Sequence, residues 1–112
     1  MAKPVARAHS RYAREAATTL GLAIRNARIE RRMTAAEAAE RADISRGLLQ
    51  RIEAGDLGCS IGAVFELAAT VGVPLIETDL SALSSQKAQE VARKALLPKA
   101  VKRHANRGDD AF

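Results

Sequence analysis

TAAEAAERADISRGLLQRIEAG, residues Thr34–Gly55, has the pattern of two short helices joined by a tight turn. Thr34 caps the first, which runs to about Ala42, and Glu37 three residues on makes a capping box. Asp43-Ile44 leaves room only for a turn. Ser45 caps the second helix, and Gly55 is placed to stop it in a left-handed conformation. Helices this short do not stand alone in water, so each must bury a face. Ala38, Ala39 and Ala42 are small enough to let the two approach closely, and Leu49 and Ile52 form the inward stripe of the second. Its other face carries Arg46, Gly47, Gln50 and Arg51. Small and guanidinium side chains on a helix propped by another helix suit insertion into a DNA major groove.

On the N-terminal side, Thr19 to about Arg31 reads as a helix with Leu20, Ile24 and Ala27 on one face and Arg25 and Arg32 away from it. Gly21 weakens it locally, and Arg28 lies at the edge of the buried stripe. Ser10–Thr18, alanine-rich, is either a preliminary turn or an extension of that helix. Met1–His9, with Pro4 and scattered cations, has no period and reads as an arm, either disordered or reaching DNA phosphate or the minor groove.

On the C-terminal side, Asp56-Leu57-Gly58-Cys59 is a turn. Ser60 caps a helix over about Ile61–Val71, with Ile61, Val64, Phe65, Leu67 and Ala68 expected in the core. Gly72 and Pro74 end it. Residues 74–77 are expected to begin a short fifth helix with Leu75 and Ile76 inward. A last helix from about Ser84 to Leu97 carries the stripe Ala88, Val91, Ala92, Ala95 and Leu96 and stops before Pro98. KAVKRHANRGDDAF, after Pro98, cannot build a core and reads as a flexible tail.

With 112 residues there is room for one small domain and tails, and 47% hydrophobic residues, many of them alanine, make a thin core. Aromatics at 3%, with no Trp, argue against base-stacking recognition of single strands or RNA. The net charge of +5 suggests a polyanionic partner. Its distribution is uneven: residues 1–32 carry +6, 33–80 carry −5 and 81–112 carry +4. The helical heart is therefore acidic, and two of its three cations, Arg46 and Arg51, lie on the outward face of the second short helix.

Several chemistries are set aside. The one cysteine, Cys59, allows no disulfide within the chain, which fits a reducing cytoplasm. No apolar run is long enough to span a membrane, and the basic start lacks the apolar segment of a signal peptide. His9, His104 and Cys59 have no metal-ligand spacing, and no phosphate-binding glycine loop or nucleophile–base arrangement is present. No cofactor, metal or catalytic residue is expected, and Glu37, Glu40 and Glu66 read as solvated helix charges.

Leu20 to about Leu75 resembles the Cro/C1-type helix-turn-helix domain of the XRE family of regulators. The matching run is LGLAIRNARIERRMTAAEAAERADISRGLLQRIEAGDLGCSIGAVFELAATVGVPL. It shows the family's L-G-x-x-I-R-x-x-R opening, M-T-x-x-E-x-A, I-S turn, R-I-E-x-G and L-A-x-x-x-G-V at family spacing. The resemblance implies an all-α, five-helix, lambda-repressor-like domain, with a C-terminal helix and flexible tails, that binds inverted-repeat DNA as a homodimer. Residues 1–17 would then be a basic arm or extension, 18–78 the DNA-binding domain, 79–97 a C-terminal helix for dimerisation and 98–112 a tail.

The resemblance also implies residue roles. Arg28 and Glu53 match a structural pair bracing the first and third helices. Arg46, Gly47 and Arg51 match positions facing base edges. Thr34, Ala35, Ser45 and Gln50 match positions along the DNA backbone. Two departures weaken the expected grip on phosphate. Ala35 stands where many relatives have a phosphate-anchoring Gln, and Asp56 brings an anion toward the backbone. The cations Arg7, Arg11 and Arg14, or those of the C-terminus, are expected to offset this.

The resulting expectation is a cytoplasmic, nucleoid-associated regulator of transcription, a dimeric autorepressor. A similarity to HipB-type antitoxins adds an alternative, in which the same chain also holds a kinase-like toxin through LLPKAVKRHANRGDDAF, anchored by Phe112. A protein-interaction adaptor without DNA binding is the third reading, motivated by the acidic centre and by Ala35.

Overall fold

The computed structural model describes residues 8–77 and 79–101; Arg7 of the arm, and the tail from residue 102 with His104 and Phe112, lie outside the described residues. The described residues form five helices and no strand: α1 Arg11–Glu30, α2 Ala35–Ala42, α3 Arg46–Glu53, α4 Ile61–Val71 and α5 Leu80–Leu96. The all-α expectation holds. Two compact units divide between Leu75 and Ile76.

Every helix starts at a short polar side chain that accepts from an amide of the first turn: Ser10, Thr34, Ser45, Ser60 and Asp79. Ser10 settles the alternative left at the start of the chain. The alanine-rich stretch is an extension, and α1 is continuous from Arg11. Asp79 likewise starts α5 four residues earlier than Ser84, its carboxylate accepting from the Ala82 amide at 2.8 Å. The short helix expected at 74–77 is instead a bend. Val73, the residue before Pro74, offers no capping oxygen to nucleate one.

Helices α1–α4 end alike. A left-handed residue follows each (Arg32, Asp43, Gly55, Gly72, with φ of 56°, 58°, 83° and 81°). The next amide then bonds back five residues: Met33 to Arg28, Ile44 to Ala39, Asp56 to Arg51 and Val73 to Ala68, at 2.8–3.0 Å. At three of these ends the residue after the left-handed one is apolar and joins the core: Met33 is buried, and Ile44 and Val73 pack against it. At the end of α3 it is Asp56, which is exposed.

The core of the first unit collects Ile24, Met33, Ala38, Ala39, Ala42, Leu49, Ile52, Leu67, Ala68 and Val71. The three alanines of α2 let it sit against both α3 and α4, while α1 packs on α3 and α4. Gly21 has a second role that helix propensity hides. A Cβ there would come within 2.6 Å of the carbonyl oxygens of both Ile52 and Glu53. It is the point where α1 and α3 touch backbone to backbone. On α4, Ile61 and Phe65 are not in the core; they are 72% and 39% exposed. The buried arc runs through Val64, Leu67, Ala68 and Val71, and Phe65 falls off that arc while Ile61 opens the helix a turn before it.

The second unit is built on α5, which buries none of its residues; Val91 and Leu96 of the expected stripe are 58% and 86% exposed. It ends at Leu96 because Leu97, before Pro98, is extended.

Candidate nucleic-acid interface

The outward face of α3 is presented by a frame on its inner side. The frame begins at Arg28 on α1. Its Nε donates to Glu53 Oε2 at 2.8 Å, its Nη2 to Glu53 Oε1 at 3.1 Å and its Nη1 to the Met33 carbonyl at 3.0 Å. One guanidinium thus ties together α1, the end of α3 and the turn leading into α2. The pair is largely enclosed, with side-chain exposures of 12% and 9%. Donating to the Glu53 carboxylate holds the Arg28 guanidinium charged beyond its ordinary range, against the opposing effect of burial. Gly55, at φ 83°, closes the same corner: a Cβ there would sit 2.9 Å from Thr18 Cα.

The front of α3 is open. Ser45 Oγ accepts from the Leu48 amide at 3.0 Å, so its hydroxyl is engaged in capping, and Arg46, Gly47 and Gln50 are exposed. A Cβ on Gly47 would meet only Ser45 Oγ, at 4.0 Å. Nothing within the fold demands glycine there. Leu48 is half-buried against the core.

At the start of α2, the Thr34 hydroxyl accepts from the Glu37 amide at 3.0 Å and the Glu37 carboxylate accepts from the Thr34 amide at 2.8 Å. These bonds with Thr34 depress the carboxylate below its ordinary range. With those two amides satisfied, the first-turn amides of Ala35 and Ala36 are the ones directed out of the helix end. Thr34 is exposed and Ala35 half-buried.

The rear of the outward face is not free. Arg51 Nε donates to Asp56 Oδ2 at 2.8 Å, and Asp56 Oδ1 accepts from the Gly58 amide at 2.7 Å. Asp56, expected as an anion turned on phosphate, is instead partnered by a cation of the same face. Arg51 first, and then the Gly58 amide, hold its carboxyl below the usual range. Its five-residue spacing from Arg51, across a helix end, was the available signal. Cys59, beside them, is half-buried, and burial pushes its thiol up. That keeps it protonated near neutral pH, the opposite of an activated nucleophile.

The family model for a helix-turn-helix domain matches residues 19–81. The chain belongs to the helix-turn-helix family of the Cro/C1, or XRE, type. That match covers α1 from its second half, all of α2–α4 and the start of α5. None of the curated proteins or solved structures compared matches the chain. As a helix-turn-helix protein it is a DNA-binding regulator, a class whose members are typically not enzymes. Among the described residues no helix is long and apolar enough to cross a membrane, and no group of three His, Cys, Asp or Glu is placed to hold a metal.

Proposed function

We propose that the chain is a sequence-specific transcriptional repressor that binds an inverted-repeat operator as a homodimer. The observation that carries this reading is the exposed, unencumbered front of α3 (Arg46, Gly47 and Gln50) held on a helix whose inner side is locked by Arg28 and Glu53. In this reading Arg46, Gly47 and Arg51 meet base edges. Thr34, Ala35, Ser45 and Gln50 line the phosphate backbone, with the Ala35 and Ala36 amides as donors at the start of α2. Arg46 donates two parallel hydrogen bonds to a guanine, and bare Gly47 admits a base pair closely. α5, with Leu80, Val91 and Leu96 exposed, supports a second copy as partner, each subunit reading one half-site.

Selection from random duplexes tests this. The enriched sequence is an inverted repeat with half-sites about one helical turn, roughly 10 base pairs, apart. Its affinity falls steeply with salt. Arg46→Ala lowers the ratio of specific to random affinity about tenfold. No enriched sequence, or an unchanged ratio for Arg46→Ala, would reject the reading.

A second reading rests on the LLPKAVKRHANRGDDAF end: the chain is the antitoxin of a HipA/HipB-type pair and holds a kinase-like toxin through that segment as well as its operon through α3. Co-purification of the full chain with the product of a neighbouring kinase-like gene supports it; an isolated gene with no captured partner rejects it.

A further inference from the structure

We infer that Asp56 is a positioning residue for DNA readout: it holds the Nε edge of Arg51 so that the remaining N–H donors of that guanidinium meet one base pair in a fixed orientation. This rests on the DNA-binding reading above. The carboxylate is itself held at every polar atom it can use. Oδ2 accepts from Arg51 Nε at 2.8 Å and Oδ1 from the Gly58 amide at 2.7 Å. Its own amide donates to the Arg51 carbonyl at 3.0 Å through the helix end. The loop closes tightly around the pair: a Cβ on Gly58 would lie 3.2 Å from Asp56 Oδ1 and 3.5 Å from Arg51 Nη2. The other three left-handed helix ends place an apolar residue at the position of Asp56 and use it to seal the core. Here the same backbone device exports a carboxylate to the outward face.

A guanidinium has five N–H donors in a planar fork. With Nε engaged, the four on Nη1 and Nη2 remain, and their edge suits the paired acceptors O6 and N7 of guanine. A long side chain that would otherwise sample many rotamers is oriented before DNA arrives. The charges are persistent: Arg51 is pushed above its ordinary range by Asp56, and Asp56 is held below its own. A plain surface ion pair, with exposures of 53% and 39%, would contribute little to the fold. Its value here lies in orientation.

The test uses the full chain, the duplex it selects from a random pool, and Asp56→Ala, Arg51→Ala and the double variant. Melting curves establish that all three remain folded. Asp56→Ala removes the anion that partners Arg51 and leaves the guanidinium's charge uncompensated, so affinity for random duplex rises or holds. The ratio of specific to random affinity drops about tenfold, with the loss at the same base pair that Arg51→Ala affects. The double variant loses no more than Arg51→Ala alone. A ratio that is unchanged for Asp56→Ala, losses at different base pairs, or additive losses would overturn the assignment. A wild-type chain that selects no sequence would overturn the DNA reading itself, and this assignment with it.

Discussion

The two sides of α3 each carry an arginine–carboxylate pair closed at 2.8 Å, and the pairs differ in almost everything else. Arg28–Glu53 is enclosed between helices and bidentate, and its third donor reaches the Met33 carbonyl. Arg51–Asp56 is half open to water, single-point, and joined to a loop amide. The difference teaches that the length of an ion pair says little about its role. Where solvent is excluded, losing one partner strands a charge and the fold suffers. Where solvent has access, water replaces the partner and only the orientation of the survivor changes.

The largest expected effect tests the inner side. Glu53→Ala or Arg28→Ala should lower unfolding stability by about 3 kcal/mol, the low end for a buried pair because this one still touches solvent. Urea denaturation measures it. Asp56→Ala should leave the midpoint near wild type in the same experiment, and equal losses for the two carboxylates would erase the contrast. Next comes Gly21→Ala, which forces a methyl into the Ile52 and Glu53 carbonyls and should cost about 1–3 kcal/mol in spite of alanine's better helix propensity.

A smaller effect has the opposite sign. Gly47→Ala on the open front of α3 should raise stability by about 0.5–1 kcal/mol, since the Cβ meets nothing closer than 4.0 Å. The same variant should weaken binding to the selected duplex, separating the needs of the fold from those of the interface in one substitution. The smallest effect concerns pH. Glu37 is depressed in the folded chain, so its capping box contributes fully above the ordinary carboxylate range and is lost as pH falls through the lowered value. The melting temperatures of wild type and Glu37→Gln should therefore differ near neutral pH and converge in acid.

Periodicity and capping residues carried the local structure a long way. Thr34, Ser45 and Ser60 cap where their hydroxyls were expected to, and the alanines of α2 and Leu49 and Ile52 of α3 are buried. The misplacements on α4 have one origin. Its sequence is apolar nearly all round, so no polar face marks which side turns inward, and Ile61 and Phe65 could be assigned only once α1 and α2 were in place.

By itself, the sequence of this chain determined where three of the five helices, α2, α3 and α4, both begin and end to within a residue or two, because caps and left-handed stops are local chemistry among neighbours in the chain. The resemblance carried by Leu20 to about Leu75 also implied the helix-turn-helix class, which the family match over residues 19–81 bears out. Only the tertiary structure decided what Gly21 is for, since the carbonyls it admits lie more than thirty residues away on α3. It likewise decided that Asp56 answers to Arg51, and that Arg28 reaches the Met33 carbonyl as well as Glu53. Close backbone approach and the direction of a long side chain are set by what stands opposite in space, and the local pattern does not encode that.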